Sequence, residues 1–256
     1  MKLISYKKNG NIKLGAFEEG KIYDLHALDG HIADNMLEFL QGGEEQLQLA
    51  MAAMEDGSPT ISAEDVELIS PVPNPPSVRD AYAFRQHVAT ARRNRGLEMI
   101  PEFDEIPIFY FTNHHAVFGE GYFPVLSRHT EKLDFELECA AVIGKGGRNI
   151  STSDADDYIA GFMIMNDLSA RVLQMQEMKL NLGPAKGKDF GSTFGPWLVT
   201  KDELESCKQS SVDGDRYDLK MKAFVNDIQV SGDTLSNMTW TFAQIIERVS
   251  YGVDIF

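Results

Sequence analysis

Cysteine is nearly absent from this chain of 256 residues: only Cys139 and Cys207 occur, in no pairing pattern. A disulfide framework is excluded, and a reducing compartment is expected. Long apolar runs are missing too; none approaches the ~20 residues a membrane-spanning helix needs. The opening Met1-Lys2-Leu3-Ile4-Ser5-Tyr6-Lys7-Lys8 is basic but has no apolar h-region or small-residue cleavage site, so no signal peptide is expected and the cytoplasm is the expected location. Positive charge is scarce: 24 Lys and Arg against 39 Asp and Glu give a net charge of -15. Such a field repels phosphate backbones and anionic lipid heads, so neither nucleic acid nor a membrane surface is an expected partner. No internal repeat and no low-complexity tract occurs. What remains is ordinary globular composition, 43% hydrophobic and 25% charged, in a chain long enough to bury a core without staples.

The pattern divides near residue 70. Before it, Leu3–Tyr6, Ile12–Phe17 and Ile22–Asp24 read as strands. Asn9-Gly10 and Glu18-Glu19-Gly20-Lys21 supply the turns, because Asn and Gly tolerate positive φ. Leu47, Ala50, Met51 and Met54 then recur at helical spacing, predicting a helix over Glu44–Met54. The run Pro71-Val72-Pro73-Asn74-Pro75-Pro76 holds four of the ten prolines and reads as an extended connector. The expected organisation is a small N-terminal β/α unit over 1–70 and a main domain over 71–256. In the main domain Ala83–Arg95 reads as a helix. Strands are expected at Ile106–Phe111, Phe135–Ile143, Tyr158–Met165 and Trp197–Thr200, with a hairpin of Leu219–Val225 and Ile228–Val230 and a helix at Thr241–Val249. Strands dominate this reading, so the expected fold class is α+β, mainly β.

The chemistry concentrates in Asp134-Phe135-Glu136-Leu137-Glu138-Cys139-Ala140-Ala141. Alternation puts Glu136 and Glu138 on one strand face and Phe135, Leu137 and Cys139 on the other. Two like charges at that spacing need a partner. Either the face is solvated, or both side chains converge on a divalent cation. Asp167, ending the apolar run that starts at Tyr158, offers a third carboxylate; it could equally cap a helix beginning at Ser169. An all-oxygen set favours a hard ion, and adjacent His114 and His115 give no zinc spacing. Gly183-Pro184-Ala185-Lys186-Gly187-Lys188-Asp189 superficially resembles a phosphate-binding loop. It is one residue short between its glycines and has Asp189 in place of Ser or Thr, which argues against nucleotide binding. Cys139 reads as a small core residue, and Arg85, Arg92, Arg93 and Arg95 as a solvated helix face that could also attract an anion.

Four motifs in order resemble the fumarylacetoacetate hydrolase family: Asp134-Phe135-Glu136-Leu137-Glu138, Met165-Asn166-Asp167-Leu168-Ser169-Ala170-Arg171, Gly187-Lys188-Asp189-Phe190-Gly191-Ser192-Thr193 and Gly195-Pro196-Trp197. The upstream Arg79-Asp80-Ala81-Tyr82-Ala83-Phe84-Arg85-Gln86-His87 is similar to a segment of the family's namesake enzyme, and the resemblance extends from about Asp80 to Val249. It implies a mixed β-sandwich roll and a homodimer. Carried over motif by motif, it implies cation ligands Glu136, Glu138 and Asp167, with Asp80 as a further ligand. His87 would be the water-activating base, and Lys188 and Arg171 cationic groups at the site. Gln174, Tyr82 and Tyr110 would contact substrate. Two departures stand out. Met178 occupies a position where a substrate-facing tyrosine is expected, and the sequence ends at Ser250–Phe256, where the resemblance implies a further Gly/Thr-rich segment carrying the acid that orients the histidine.

The implied activity is hydrolytic cleavage of a carbon–carbon bond in a small fumarylacetoacetate- or acylpyruvate-like diketo acid. The implied cofactor is one divalent cation, Mg²⁺ first and Ca²⁺ or Mn²⁺ as alternatives, which polarises a carbonyl and stabilises an enolate. Decarboxylation or tautomerisation of an oxo acid on the same site is the alternative. An inert cation-binding scaffold is a third reading. His87 favours hydrolysis, since histidine changes charge near neutral pH and suits water activation. From the residues alone, Phe84, His87, Val88 and Ala91 share a helical face, which would make His87 a buried core residue.

Overall fold

The computed structural model describes residues 1–255. Strands β1 (Lys2–Lys8), β2 (Asn11–Glu18) and β3 (Lys21–Asp24) form an antiparallel meander. Both tight turns place two consecutive residues at positive φ, Asn9 (52°) with Gly10 (82°) and Glu19 (47°) with Gly20 (80°). That backbone matches the twist of the flanking strands. Helices α1 (Leu25–Leu28), α2 (Met36–Gln41) and α3 (Gly43–Asp56) follow, and Asn35 caps α2 by accepting from the Glu38 N–H. Strands β4 (Ile61–Ser62) and β5 (Glu67–Ile69) complete the unit before the proline connector. Alternation in β1 covers both sheet faces. Leu3 packs with Leu14, Phe39 and Leu198 on one side, while Ile4 and Tyr6 pack with Ile22 and Ile61 on the other.

After the connector come β6 (Val78–Asp80), α4 (Arg85–Arg93), β7 (Tyr110–Thr112), β8 (Val117–Phe118) and α5 (Ser127–Thr130). Next come β9 (Leu133–Ile143), β10 (Gly147–Arg148), α6 (Thr152–Ala155) and β11 (Ile159–Ala170), with β9 and β11 antiparallel along most of their length. Then α7 (Arg171–Glu177) starts directly where β11 ends, and β12 (Ser192–Phe194) and β13 (Leu198–Thr200) return to β11. Strands β14 (Lys208–Gln209) and β15 (Arg216–Tyr217), the hairpin β16 (Lys220–Val225) and β17 (Ile228–Thr234), α8 (Phe242–Ser250) and β18 (Asp254–Ile255) finish the described chain. Helix α8 opens with a reciprocal cap between Thr241 and Gln244 and buries Ala243 and Ile246 against Phe162 and Tyr217.

One ten-stranded sheet runs β4-β3-β2-β1-β13-β11-β12-β8, with β5 on β1 and β9 on β11. It crosses the connector: Leu3 pairs with Leu198 and Lys2 with Val199. The α+β class holds, but the mainly-β expectation is corrected, since helix, including 3₁₀ turns, and strand are about equal in extent. Some of the excess helix lies where the residues carry no clean period, as in α2 and the 3₁₀ segment Lys201–Cys207. The strand expected over Ile106–Phe111 shrinks to Tyr110–Thr112. Pro107 cannot donate to a ladder there, and a 3₁₀ turn over Pro101–Asp104 precedes it.

Candidate metal centre and cleft

Asp80 closes β6 and stands opposite Tyr110 in the β6–β7 ladder. In the β9–β11 ladder Glu138 stands opposite Met165 and Glu136 directly opposite Asp167. Two like charges facing each other across a ladder repel, so this register needs a compensating cation. Lys188 supplies one: its amine, 3% exposed, sits 3.0 Å from a Glu136 oxygen and bonds closely to Asp167. Arg171, the first residue of α7, reaches back along β9. Its Nε donates to Asp134 (2.7 Å), one Nη to Glu136 (2.8 Å) and the other to the Gln174 side-chain oxygen (2.9 Å). Asp134 was missed as a member of the site, although period two places it on the Glu136 face. Asp167 is no helix cap, because β11 runs on through Ala170 and that residue occupies the cap position.

Asp80, Glu138 and Asp167 each offer an oxygen within 4.8 Å of the others. Glu136 stands outside this triad, engaged by Lys188 and Arg171. The Tyr110 hydroxyl lies 2.9 Å from Asp80 and 3.1 Å from Asp167 and can donate its one proton to either. The remaining Asp167 oxygen is buried without a hydrogen-bond partner among the described residues.

Electrostatics separates the four acids into two kinds. Burial alone would raise Glu136, but Lys188 and Arg171 outweigh it and hold that carboxyl at about 2. Burial, then the neighbouring Asp167, pushes Asp80 up to about 7 against the pull of Lys188 and Tyr110. Burial, then the charges of Asp80 and Asp167, pushes Glu138 well above the carboxylate range. Burial also wins over Lys188 at Asp167, which is raised. The Lys188 amine moves the other way: burial would lower it, but Glu136 and Asp167 raise it, so it stays an ammonium. With Asp134, which Arg171 also engages, five acids face Lys188 and Arg171, so full ionisation would leave three negative charges in excess. The oxygen triad, the orphaned Asp167 oxygen and this excess fit a hard divalent cation.

Asp80, Glu136, Glu138, Arg171 and Lys188 line a cleft of about 1270 Å³ that also takes in Tyr82, His87, Gln174 and Met178, whereas Asp167 is fully buried and outside its lining. His87 is exposed on α4, so the buried-core alternative does not hold; Val88 beside it is the buried residue of that helix. Among the described residues His87 has no side-chain hydrogen bond or ion pair. Tyr82 is exposed and stacks on Phe103 at 6.0 Å. Of the arginines on the solvated face, Arg85 pairs with Asp104 at 3.0 Å.

A mixed sheet carrying a carboxylate triad beside a buried lysine at the floor of an open cleft defines a cation-site architecture. The family profile described as fumarylacetoacetate (FAA) hydrolase C-terminal matches residues 77–255, and the chain belongs to the fumarylacetoacetate hydrolase family. It is 27% identical over 260 residues to the mitochondrial oxaloacetate tautomerase fahd2 of Xenopus laevis, covering 100% of this chain and 76% of that protein. It is 29% identical over 246 residues to the oxaloacetate tautomerase YisK of Bacillus subtilis (strain 168), covering 93% of this chain and 75% of that protein. In fold it is similar to the fumarylacetoacetate hydrolase of Exiguobacterium antarcticum, with a TM-score of 0.72 at 24% identity over 100% of this chain and 83% of that one. Among the described residues no helix is long and apolar enough to cross a membrane.

Proposed function

We propose that the chain is a divalent-cation-dependent enzyme that interconverts the keto and enol forms of a small 2-oxo dicarboxylic acid such as oxaloacetate. This is the alternative reading of the sequence, and it replaces carbon–carbon bond hydrolysis as the main one. The carrying observation is the Asp80–Glu138–Asp167 triad with the Lys188 ammonium beside it. Similarity to two oxaloacetate tautomerases over nearly the whole chain favours this substrate class.

Asp80, Glu138 and Asp167 hold the cation, with Mg²⁺ the first candidate and Mn²⁺ or Ca²⁺ next. A cation held there would supply Lewis-acid polarisation of the 2-oxo group. Lys188 and Arg171 offset the acidic ligand set, so an anionic substrate can enter. They also stabilise negative charge as it develops on the oxygen at C2. Tautomerisation moves one proton from C3 to that oxygen. His87, on the cleft side of α4 and free of partners among the described residues, takes the C3 proton and returns it to the enol oxygen. Gln174 keeps Arg171 in its fork geometry and orients the substrate carboxylate, while Tyr82 closes the cleft wall.

The test follows the enol absorbance of oxaloacetate with and without Mg²⁺, alongside hydrolysis of an acylpyruvate. Cation-dependent enolisation above the solvent rate, with little acylpyruvate cleavage, is the expected result. Acylpyruvate turnover without accelerated enolisation would restore the hydrolase reading; binding of Mg²⁺ without either would leave the inert scaffold.

A further inference from the structure

The loop that resembles a phosphate-binding loop gathers its amides around an anion, and the anion belongs to the chain. Glu177, the last residue of α7, accepts from three consecutive backbone N–H groups: Ala185 at 2.8 Å, Lys186 at 2.7 Å and Gly187 at 3.1 Å. Successive N–H groups converging on one anion form a nest. The next residue is Lys188. Its own N–H donates to the Ala185 carbonyl at 3.0 Å, and the Gly187 carbonyl accepts from the Ala170 N–H at 2.8 Å, at the end of β11. Gly187 lies so close to α7 that a Cβ there would sit 2.6 Å from the Gln174 nitrogen. Helix α7 and the loop bearing Lys188 therefore form one packed unit, and the Glu177 carboxylate is its clasp. Among the described residues Glu177 forms no ion pair, so its charge is committed to the three amides.

We propose that Glu177 is a positioning residue: by filling the nest it holds the Lys188 ammonium between Glu136 and Asp167. The inference rests on the role proposed for Lys188, but the clasp can be measured without turnover. A carboxylate only accepts, whereas a glutamine amide turns two donors toward the nest on one side. A displacement of about 1 Å at a catalytic group can cost ~10²-fold in rate, so small loop movements are enough.

The experiment uses the full chain and the variants Glu177→Ala and Glu177→Gln. Amide hydrogen exchange is expected to rise about tenfold or more at Ala185, Lys186 and Gly187 in Glu177→Ala. Formate, which fits the vacated nest, is expected to slow it again, and uncharged formamide is not. With oxaloacetate as substrate, kcat should fall roughly 10- to 100-fold with KM little changed, recover with formate, and fall by less than about twofold when Glu177→Ala is added to Lys188→Met. If Glu177→Ala does not fold, Glu177→Gln carries the same measurements without the anion rescue. Unchanged exchange at the three amides overturns the clasp. A loss that formate leaves untouched and that persists in the Lys188→Met background overturns the positioning role. Absence of turnover in the unmodified protein counts against the proposed function, and the exchange pattern then decides the clasp alone.

Discussion

Replacing Lys188 with methionine removes the positive charge between Glu136 and Asp167 while keeping a side chain of similar length. Glu136 retains Arg171 at 2.8 Å, but among the described residues the side chain of the fully buried Asp167 keeps only the Tyr110 hydroxyl as a donor. Breaking a buried pair from one side costs about 3–5 kcal/mol, because the stranded charge stays in a poorly solvated place. For a chain of this size about 2–4 °C of melting temperature accompanies each kcal/mol, so the cation-free variant should melt roughly 6–20 °C lower. The loss should shrink toward pH 5. Without Lys188 the already raised Asp167 carboxyl rises further, and a raised acid stabilises the fold only while protonated. Added Mg²⁺ should stabilise the variant more than the parent, since no ammonium competes for the Asp167 oxygens. Differential scanning calorimetry at pH 5 and pH 8, with chelator and with Mg²⁺, measures all three effects. A loss below ~1 kcal/mol at pH 8 in chelator, or an equal Mg²⁺ shift in both proteins, refutes the account of Lys188 as the charge that holds the register.

In the unaltered protein, Asp80 is pushed up to about 7 from an ordinary value near ~3.9. Cation-free stability should therefore decline as pH rises through about 4 to 7, and the Mg²⁺-induced rise in melting temperature should grow over the same window; a flat chelator curve would contradict this. Tyr110→Phe removes the O–H shared by Asp80 and Asp167, and should cost about 1.5–3 kcal/mol in chelator by denaturant unfolding. His87→Ala should change unfolding free energy by less than ~0.5 kcal/mol, because the ring is exposed, while lowering oxaloacetate enolisation by ~10²- to 10⁴-fold. Loss of stability with full activity would reverse that assignment.

The parts of the fold legible in the sequence are those with a long, clean period or a strong turn. The β1–β3 meander announces itself through Asn9-Gly10, α3 and α8 through apolar spacing, and β9 through alternation. Elements of two or three residues carry no period, which is why β6, β8 and β12 escape notice, and β6 is the strand that delivers Asp80. The acidic cluster was legible as a set of carboxylates but not as two kinds of carboxylate. Only the β9–β11 register shows Glu136 facing Asp167 across a lysine. Helix α7 is legible only as an alternative and two residues early, because Asp167 offers a plausible cap before the true start at Arg171. The clasp at Glu177 left no local signal at all, because its three partners are backbone groups eight to ten residues away.

The pairing of Leu3 with Leu198 also sets a timetable for synthesis. Strand β1 leaves the ribosome long before β13, its neighbour at Lys2 and Leu3, has been made. At ~5–20 residues per second the interval is about 10–40 s. During that time the meander and its helices can assemble from local contacts, but one stretch of β1 stays open beside a half-covered apolar face. Open edges of this kind recruit other chains. The nascent protein is therefore most exposed to aggregation between completion of the proline connector and arrival of β13, and holding chaperones that shield strand edges should act on it in that interval.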